Sequence, residues 1–558
     1  MKKLTLTLLL TILLISNVFA VKNEEFRATW VITWEHQCDS TIIKQILDNH
    51  VAANMNAVLF QVRQGGTAYY RSSFEPWGYY AGYEDPGFDP LEFTVREAHK
   101  RGLELHAWFN AFHTSSTIAG SPAAEHPEWV CRDGDGNPMP QYRALSPALE
   151  EVREYTLDVI MEIVNKYDID GMHLDYIRWN EYTTSSVLSK PAGRQEDVLD
   201  GQIAERQKEL LATVASPNRY LYDIEHPYSA GVPDGFDSWE DFWRDAVTQF
   251  VVSVHDSIQT VKPYVRLSVA ALGKYRWSGW QGYESVYQDA ALWYNEGYID
   301  QLTPMHYHWT DGSGFYQMLN GVGTTNWDYW LDDDSPVLYT VGPGSYLLNE
   351  GNIWHRHEEI VTQSRKVDFV DGFQFFSYGS WEGNEYWEEA GATIFPNKTK
   401  IRKNEIYSGD LPASPTISLE KNNDLEYNIT LTPNAAESGK LWYVVYRSED
   451  ETIEPENDEI VAIKFTDEVF TIDQAFDGNQ TFDGEYTYAA TAVNRFWWES
   501  ELSNLQVSDE IPSNPPVVLN VSPAEGDSIQ TNPVLTFEFS KEIDLASFEN
   551  AFTIEPAA

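Results

Sequence analysis

Residues 168–179 read DIDGMHLDYIRW. In an extended chain, Met172 and Leu174 face one way and His173 and Asp175 the other. A carboxylate is costly to bury without partners, so Asp175 belongs at a strand end, where polar groups and water are available. The stretch therefore reads as a buried strand that carries a reactive or ion-paired carboxylate at its tip.

Seven further runs share this character: RATWVITW (27–34), AVLFQVR (57–63), LELHAWFN (103–110), VRLSVAAL (265–272), IDQLTPMHY (299–307), VLYTVG (337–342) and GFQFFSY (372–378). Amphipathic segments such as Thr41–Ala53, Pro90–Arg101, Leu149–Tyr167 and Glu240–Lys262 lie between them. Strand and helix alternating eight times predicts an α/β fold, a (β/α)8 TIM barrel over residues 21–405. Residues 410–510 alternate without a helical period and predict a fibronectin type III-like β-sandwich. Residues 514–558 begin a further Ig-like β segment, too short to complete such a fold.

The other bounds come from composition and the N-terminus. Lys2 and Lys3, the apolar run Leu4–Ile15 and the closing NVFA predict a signal peptide over residues 1–20. An exported protein is expected, whether periplasmic, secreted or held at the cell surface. No other run is long and apolar enough for a transmembrane segment. Acidic residues number 86 against 38 basic, a net charge of −48 that repels phosphate backbones and excludes nucleic acid as a partner. Twenty Trp and 32 Tyr supply flat faces suited to sugar rings, although both are also ordinary core residues. Cys38 and Cys131 are compatible with one disulfide or two thiols, and their spacing matches no metal site.

Polar and aromatic residues gather at the C-terminal ends of the predicted strands, where such barrels build their sites. The first strand closes with Trp34 and Glu35. The second carries Gln61 and Arg63, read as sharing one face. The third carries His106, Trp108 and Asn110, the fourth His173 and Asp175, and the eighth Gln374, Phe376 and Tyr378. On the sixth, either Met305 and Tyr307 or His306 and His308 face inward. There is no nucleophile elbow, phosphate loop or HExxH motif. RDGDGN at 132–137 lacks the downstream Glu of a calcium loop. A carboxylate among aromatic rings and hydrogen-bonding side chains fits glycoside hydrolysis, which uses one protonated and one ionised carboxyl group. Asp175 is the first carboxylate of the pair, read as nucleophile or base. Glu35 is the leading second by placement, with Glu225 and Glu382 behind it. No cofactor or metal is expected, and the expected partner is a polysaccharide bound by a monomer.

FRATWVITW, MNAVLFQVRQGGTAYYRSSFEPW, DPLEFTVREAHKRGLELHAWFN, HPEWV, DIDGMHLDYIRW, WRDAVTQFV, KPYVRLSVAALG, DQLTPMHY and GFQFFSYGS follow one another in order. In these blocks the chain resembles the glycoside-hydrolase-like family 10 proteins, formerly domain of unknown function 187. The resemblance implies a (β/α)8 barrel, often followed by a fibronectin-like domain, and cleavage of bacterial cell-wall glycan, especially strands stripped of their peptides. It implies that Gln61, Arg63, His106 and Asn110 line the groove and that His173, Asp175 and Tyr176 are central. Trp34, Trp108 and Tyr307 join the expected substrate-binding set by placement. Arg63 would then hold a substrate carboxylate such as the lactyl group of a muramic sugar.

A weaker likeness to chitinase-type enzymes keeps Asp170, Gly171 and Asp175 but puts Ile177 where their acid should stand. Two other readings stay open on sequence alone. One is a glycan-binding or adhesion protein without a working acid. The other is a metal-dependent deacetylase or hydrolase using His306, His308, His106 and Asp175.

Overall fold

Eight apolar runs become eight parallel strands in the computed structural model, which describes residues 23–132, 137–139, 142–179, 231–277, 279–407, 409–476, 484–511, 518–522 and 536–539. The strands are β1 (Phe26–Val31), β2 (Ala57–Gln64), β3 (Glu104–Asn110), β4 (Gly171–Asp175), β5 (Arg266–Leu272), β6 (Gln301–His306), β7 (Leu338–Pro343) and β8 (Val370–Phe375). Each pairs with its sequence neighbours, and β8 returns to β1 through Phe26↔Gly372, so the sheet closes into a barrel. The expected signal peptide, Glu225, most of RDGDGN and most of the C-terminal Ig-like segment lie outside the described residues.

Local chemistry starts and stops the helices between strands. Asp39 caps Ser40–Ala52 by accepting from the Thr41 and Ile42 amides, and Asp89 caps Pro90–Lys100, which opens on a proline. Ser238 caps the long helix Trp239–Val261, whose Trp243, Val247, Phe250, Val251, Val254 and Ile258 form its buried face. These helices cover the outward side chains of the strands, among them Phe60, Phe109, Leu174 and Phe373. Phe26, Ala28, Trp30, Leu59 and Trp108 turn inward and fill the barrel. Among the described residues no helix is long and apolar enough to cross a membrane.

Beyond the barrel, Thr416–Asn423, Glu426–Thr432 and Phe470–Ala475 form one antiparallel sheet. Leu441–Ser448, Glu459–Thr466, Thr487–Val493 and Gln506–Val507 form the facing one. Three strands against four is the sandwich arrangement of fibronectin type III and Ig-like modules. Strands Val518–Ser522 and Thr536–Phe539 pair antiparallel as the start of a further β unit.

The sandwich packs directly on the barrel. It seats against the N-terminal end of the barrel. Trp442 stacks on Trp497 with centroids 5.4 Å apart, and both belong to the same buried cluster as the barrel's inner residues. Trp497 Nε1 donates to Glu104 at 2.5 Å. Arg495 reaches Asp168 and Asp170, each at 2.8 Å. The two ends of the opening stretch thus do different work. DID at 168–170 anchors the sandwich, and HLD at 173–175 runs up through the barrel to the opposite rim.

Candidate active site

Asp175 is the last residue of β4 and sits in register with Asn110, the last of β3. It is buried, and its Oδ1 accepts the Tyr176 amide at 2.6 Å. The chain then turns sharply, with Tyr176 at φ +50°. That turn brings the Tyr176 ring against His113 and Tyr142, at centroid distances of 4.6 and 5.4 Å. Asn110 completes this side of the rim, its Oδ1 3.4 Å from Gln61 Nε2, while Gln61 Oε1 accepts the Thr33 amide at 3.2 Å.

Glu35 stands on the one-turn helix Thr33–His36 that follows β1. Its side chain is half-buried, with the carboxyl group held among three donors. Oε2 accepts the Ile32 amide at 2.8 Å, and Oε1 accepts the Ser377 hydroxyl at 2.8 Å and the Gly379 amide at 2.7 Å. A Cβ on Gly379 would lie 2.5 Å from Glu35 Oε1, so the close approach needs glycine. Burial raises the Glu35 pKa more than these donors lower it, and the group is pushed up to about 7. A carboxyl group with that affinity is still about half protonated at neutrality and can give its proton to a leaving oxygen.

An aromatic cluster runs from the buried inner layer, Trp30 and Trp108, up to the mouth. Phe376 lies 6.0 Å from Trp30, 6.4 Å from Trp108, 5.5 Å from Tyr307 and 6.0 Å from Tyr346 by ring centroids. Trp34, beside Glu35, meets Tyr80 at 6.1 Å. Met305 and Tyr307 therefore take the inward alternative on β6. His306 turns outward, where Nδ1 accepts the Gly342 amide at 3.1 Å and Nε2 meets the Tyr339 hydroxyl at 3.1 Å. His306 is thus separated from Asp175 by the sheet, and His106 lies deep in the barrel, so the four-residue metal set is not brought together.

Four of the expected substrate-binding residues lie elsewhere. Arg63 was read as sharing a face with Gln61, but β2 carries a bulge between them: Gln61 pairs with Trp108 and Arg63 with Phe109. The extra residue turns Arg63 to the helix side. There its guanidinium lies 4.7 Å over Phe109 and grips both Glu75 oxygens, at 2.8 and 2.5 Å. It also donates to the Asn110 and Ala111 carbonyls, so it holds the rim's backbone, fully buried and turned away from the groove where a substrate carboxylate would lie.

His106 is fully enclosed near the barrel floor, with Nε2 2.8 Å from Glu104. His173 is enclosed one layer below Asp175. Trp30 Nε1 donates to its Nε2 at 2.9 Å, so Nδ1 carries the proton and donates to Ser268 at 2.8 Å. Burial, and then His106, lower the His173 pKa to about 3, which keeps the ring neutral. It steadies the strand beneath the site. Trp108 sits in the same inner layer and is almost wholly buried.

Tyr378 and Glu382 turn away from the mouth as well. Tyr378 packs on Trp387 at 5.0 Å, and Glu382 accepts from Asn49 at 2.7 Å and Trp387 at 2.8 Å. Cys38 and Cys131 are both buried and form no disulfide. Sequence reasoning missed Ser377 and Gly379, the donors to Glu35, and Trp30 and Ser268, the clamp on His173. The SYGS that follows β8 was the available signal, since a rim loop rich in small residues lets a carboxylate approach the backbone.

A family model described as Glycosyl hydrolase-like 10 matches residues 25–324. The chain is 26% identical over 476 residues to the glycosyl hydrolase YngK of Bacillus subtilis, a match covering 77% of this chain and 84% of that protein. It is 28% identical over 289 residues to the glycosyl hydrolase DigH of Escherichia coli, covering 47% of this chain and 56% of DigH. Among solved structures, the PgaB glycoside hydrolase domain of Bordetella bronchiseptica is similar at a TM-score of 0.42 and 10% identity, over 68% of this chain and 99% of that one.

Proposed function

Since the chain belongs to the glycosyl hydrolase-like 10 family, we propose that its barrel mouth cleaves an amino-sugar polymer, the peptide-free glycan strands of bacterial peptidoglycan. Family membership and the barrel together make the chain a glycosidase, an enzyme that hydrolyses glycosidic bonds. The choice of polymer rests on the motif resemblance and on the aromatic mouth, whose rings suit the apolar faces of sugars. The N-terminal Lys-flanked apolar run supports export to where such strands lie.

The observation that carries the mechanism is the Glu35 carboxyl group at the rim, raised to about 7. Glu35 gives its proton to the glycosidic oxygen as the bond from that oxygen to the anomeric carbon breaks. Asp175 supplies the second function. It attacks the anomeric carbon itself, takes the proton of an attacking water, or orients a substrate N-acetyl group that attacks in its place. Asn110 and Gln61 hold the rim between β1 and β4. Trp34 and Tyr307 offer rings to the sugars on either side of the bond.

Product release from peptide-free glycan, with chitin and a neutral β-glucan alongside, tests this reading. Wild type is expected to release oligosaccharides from the peptidoglycan strands. Glu35→Gln and Asp175→Asn are each expected to lower kcat by about 10²–10⁴-fold, the usual span for a positioned acid or base. Release from the neutral glucan alone would overturn the substrate. Full activity in either variant would overturn its role.

A further inference from the structure

The loop after β2 carries PWGYYAGY at 76–83, four aromatic residues in eight, and nothing in the proposed chemistry uses its tyrosines. Tyr79 is 57% exposed and Tyr83 54%. A single exposed aromatic ring needs no explanation, but exposed rings joined in one patch mark an interaction site. The rings are also connected. Trp34, next to Glu35, meets Tyr80 at 6.1 Å, Tyr80 meets Tyr79 at 5.0 Å, and Tyr79 meets Tyr83 at 5.8 Å. The series grows more exposed with distance from the mouth, from half-buried Trp34 and Tyr80 to open Tyr79 and Tyr83.

The backbone that carries these rings is pinned in place. Gly78 lies so close to Tyr69 that a Cβ would fall 2.3 Å from its ring. Its amide donates to Ala68 at 3.0 Å, and its carbonyl accepts from Ala81 and Tyr83, each at 3.1 Å. Pro76 accepts the Ala68 amide at 2.9 Å. Tyrosines carried on a fixed backbone give contact area at small entropic cost, since only two side-chain torsions remain to be ordered.

We propose that Trp34, Tyr80, Tyr79 and Tyr83 form a binding strip for successive sugar rings, carrying a glycan chain outward from the cleavage point and favouring long chains over short ones. The occupant is a sugar polymer because the strip is continuous with the candidate active site through Trp34. A tyrosine ring offers a sugar its flat face for the ring's C–H groups and its hydroxyl at the edge. The inference rests on the glycosidase reading for the direction of the chain, and its test separates the two.

Wild type, Tyr79→Ala/Tyr83→Ala and Tyr79→Phe/Tyr83→Phe are compared in two assays. Native-gel retardation is run in gels containing soluble peptide-free glycan strands, glycol chitin or a neutral β-glucan. Product release is measured on long strands and on short oligosaccharides of the same glycan. The double alanine variant is expected to lose most of the retardation, and its ratio of long-chain to short-chain activity is expected to fall about ten-fold. The double phenylalanine variant keeps the rings and is expected to restore both.

Retardation by none of the polymers in wild type, or equal retardation in the alanine variant, overturns the strip. Cleavage with an unchanged ratio overturns it too and leaves the glycosidase reading standing. Retardation lost with the rings, in a wild type that cleaves none of the polymers, supports the strip and sinks the proposed substrate.

Discussion

Glu104 and Glu35 sit at opposite ends of one barrel, and their surroundings drive them in opposite directions. At the N-terminal end, burial alone would raise Glu104, but Arg266 at 2.8 Å, with His106 and Trp497, overrides it and holds the carboxyl group well below its usual range. At the C-terminal end, Glu35 meets neutral donors only, burial wins, and its pKa rises to about 7. The first arrangement stores stability and the second stores a proton. A cation within reach of the carboxylate is what separates them.

The comparison breaks most severely if the rim proves inert. Asp175→Asn is expected to lower product release by about 10²–10⁴-fold while leaving the thermal midpoint nearly in place, since the role proposed for it at the rim is chemical. A large fall in Tm with activity per folded molecule retained would put Asp175 with Glu104 as a structural group.

Glu104→Gln carries the next largest effect, on stability. It leaves the Arg266 charge enclosed without its partner, which costs about 3–5 kcal/mol when a buried pair is broken. Glu104 titrates lower in the folded chain than in the unfolded one, so its contribution is present above the ordinary carboxylate pKa and lost as pH falls below it. Denaturant melts at pH 7 and pH 3 are expected to show a wide gap between wild type and variant that narrows in acid. A gap independent of pH would remove the ion pair as its cause.

For Glu35 the sign reverses. The unfolded group releases its proton near the model value of 4.5 and the folded group near 7, so its contribution to stability falls as pH rises through that window. The Tm of Glu35→Gln, relative to wild type, is expected to climb between pH 4.5 and 7.5, by the equivalent of about 1–3 kcal/mol. The same titration makes kcat fall as pH rises through about 7. A flat Tm difference together with a flat alkaline limb would erase the contrast with Glu104.

The smallest effect sharpens the layer between the two ends. Trp30→Phe removes the donor to His173 Nε2 and leaves a buried acceptor unpaired, at about 1–2 kcal/mol. Denaturant midpoints report the loss, and nitrogen NMR of the ring reports whether the Nδ1–H form persists without the indole.

What the sequence alone determined follows from short-range periodicity. Alternation with period two placed Asp175 at the tip of a strand, and helical spacing placed the segments between strands, because a side chain's direction in a regular element depends only on its neighbours. Eight such alternations specify a barrel, and a barrel specifies which rim carries the site. The placement of Glu35 and Asp175 at that rim was legible for that reason. The same local reasoning failed at Arg63, because a bulge depends on pairing with another strand and shifts every side chain beyond it to the opposite face. It left His306 and Tyr307 undecided, since both alternations fit the same apolar run. Only the tertiary structure brought Ser377 and Gly379 to Glu35 across more than 340 residues of chain and set Trp497 of the sandwich against Glu104 at the barrel floor. A carboxyl group's proton affinity is a sum over whatever surrounds it in space, and sequence order carries no record of that sum.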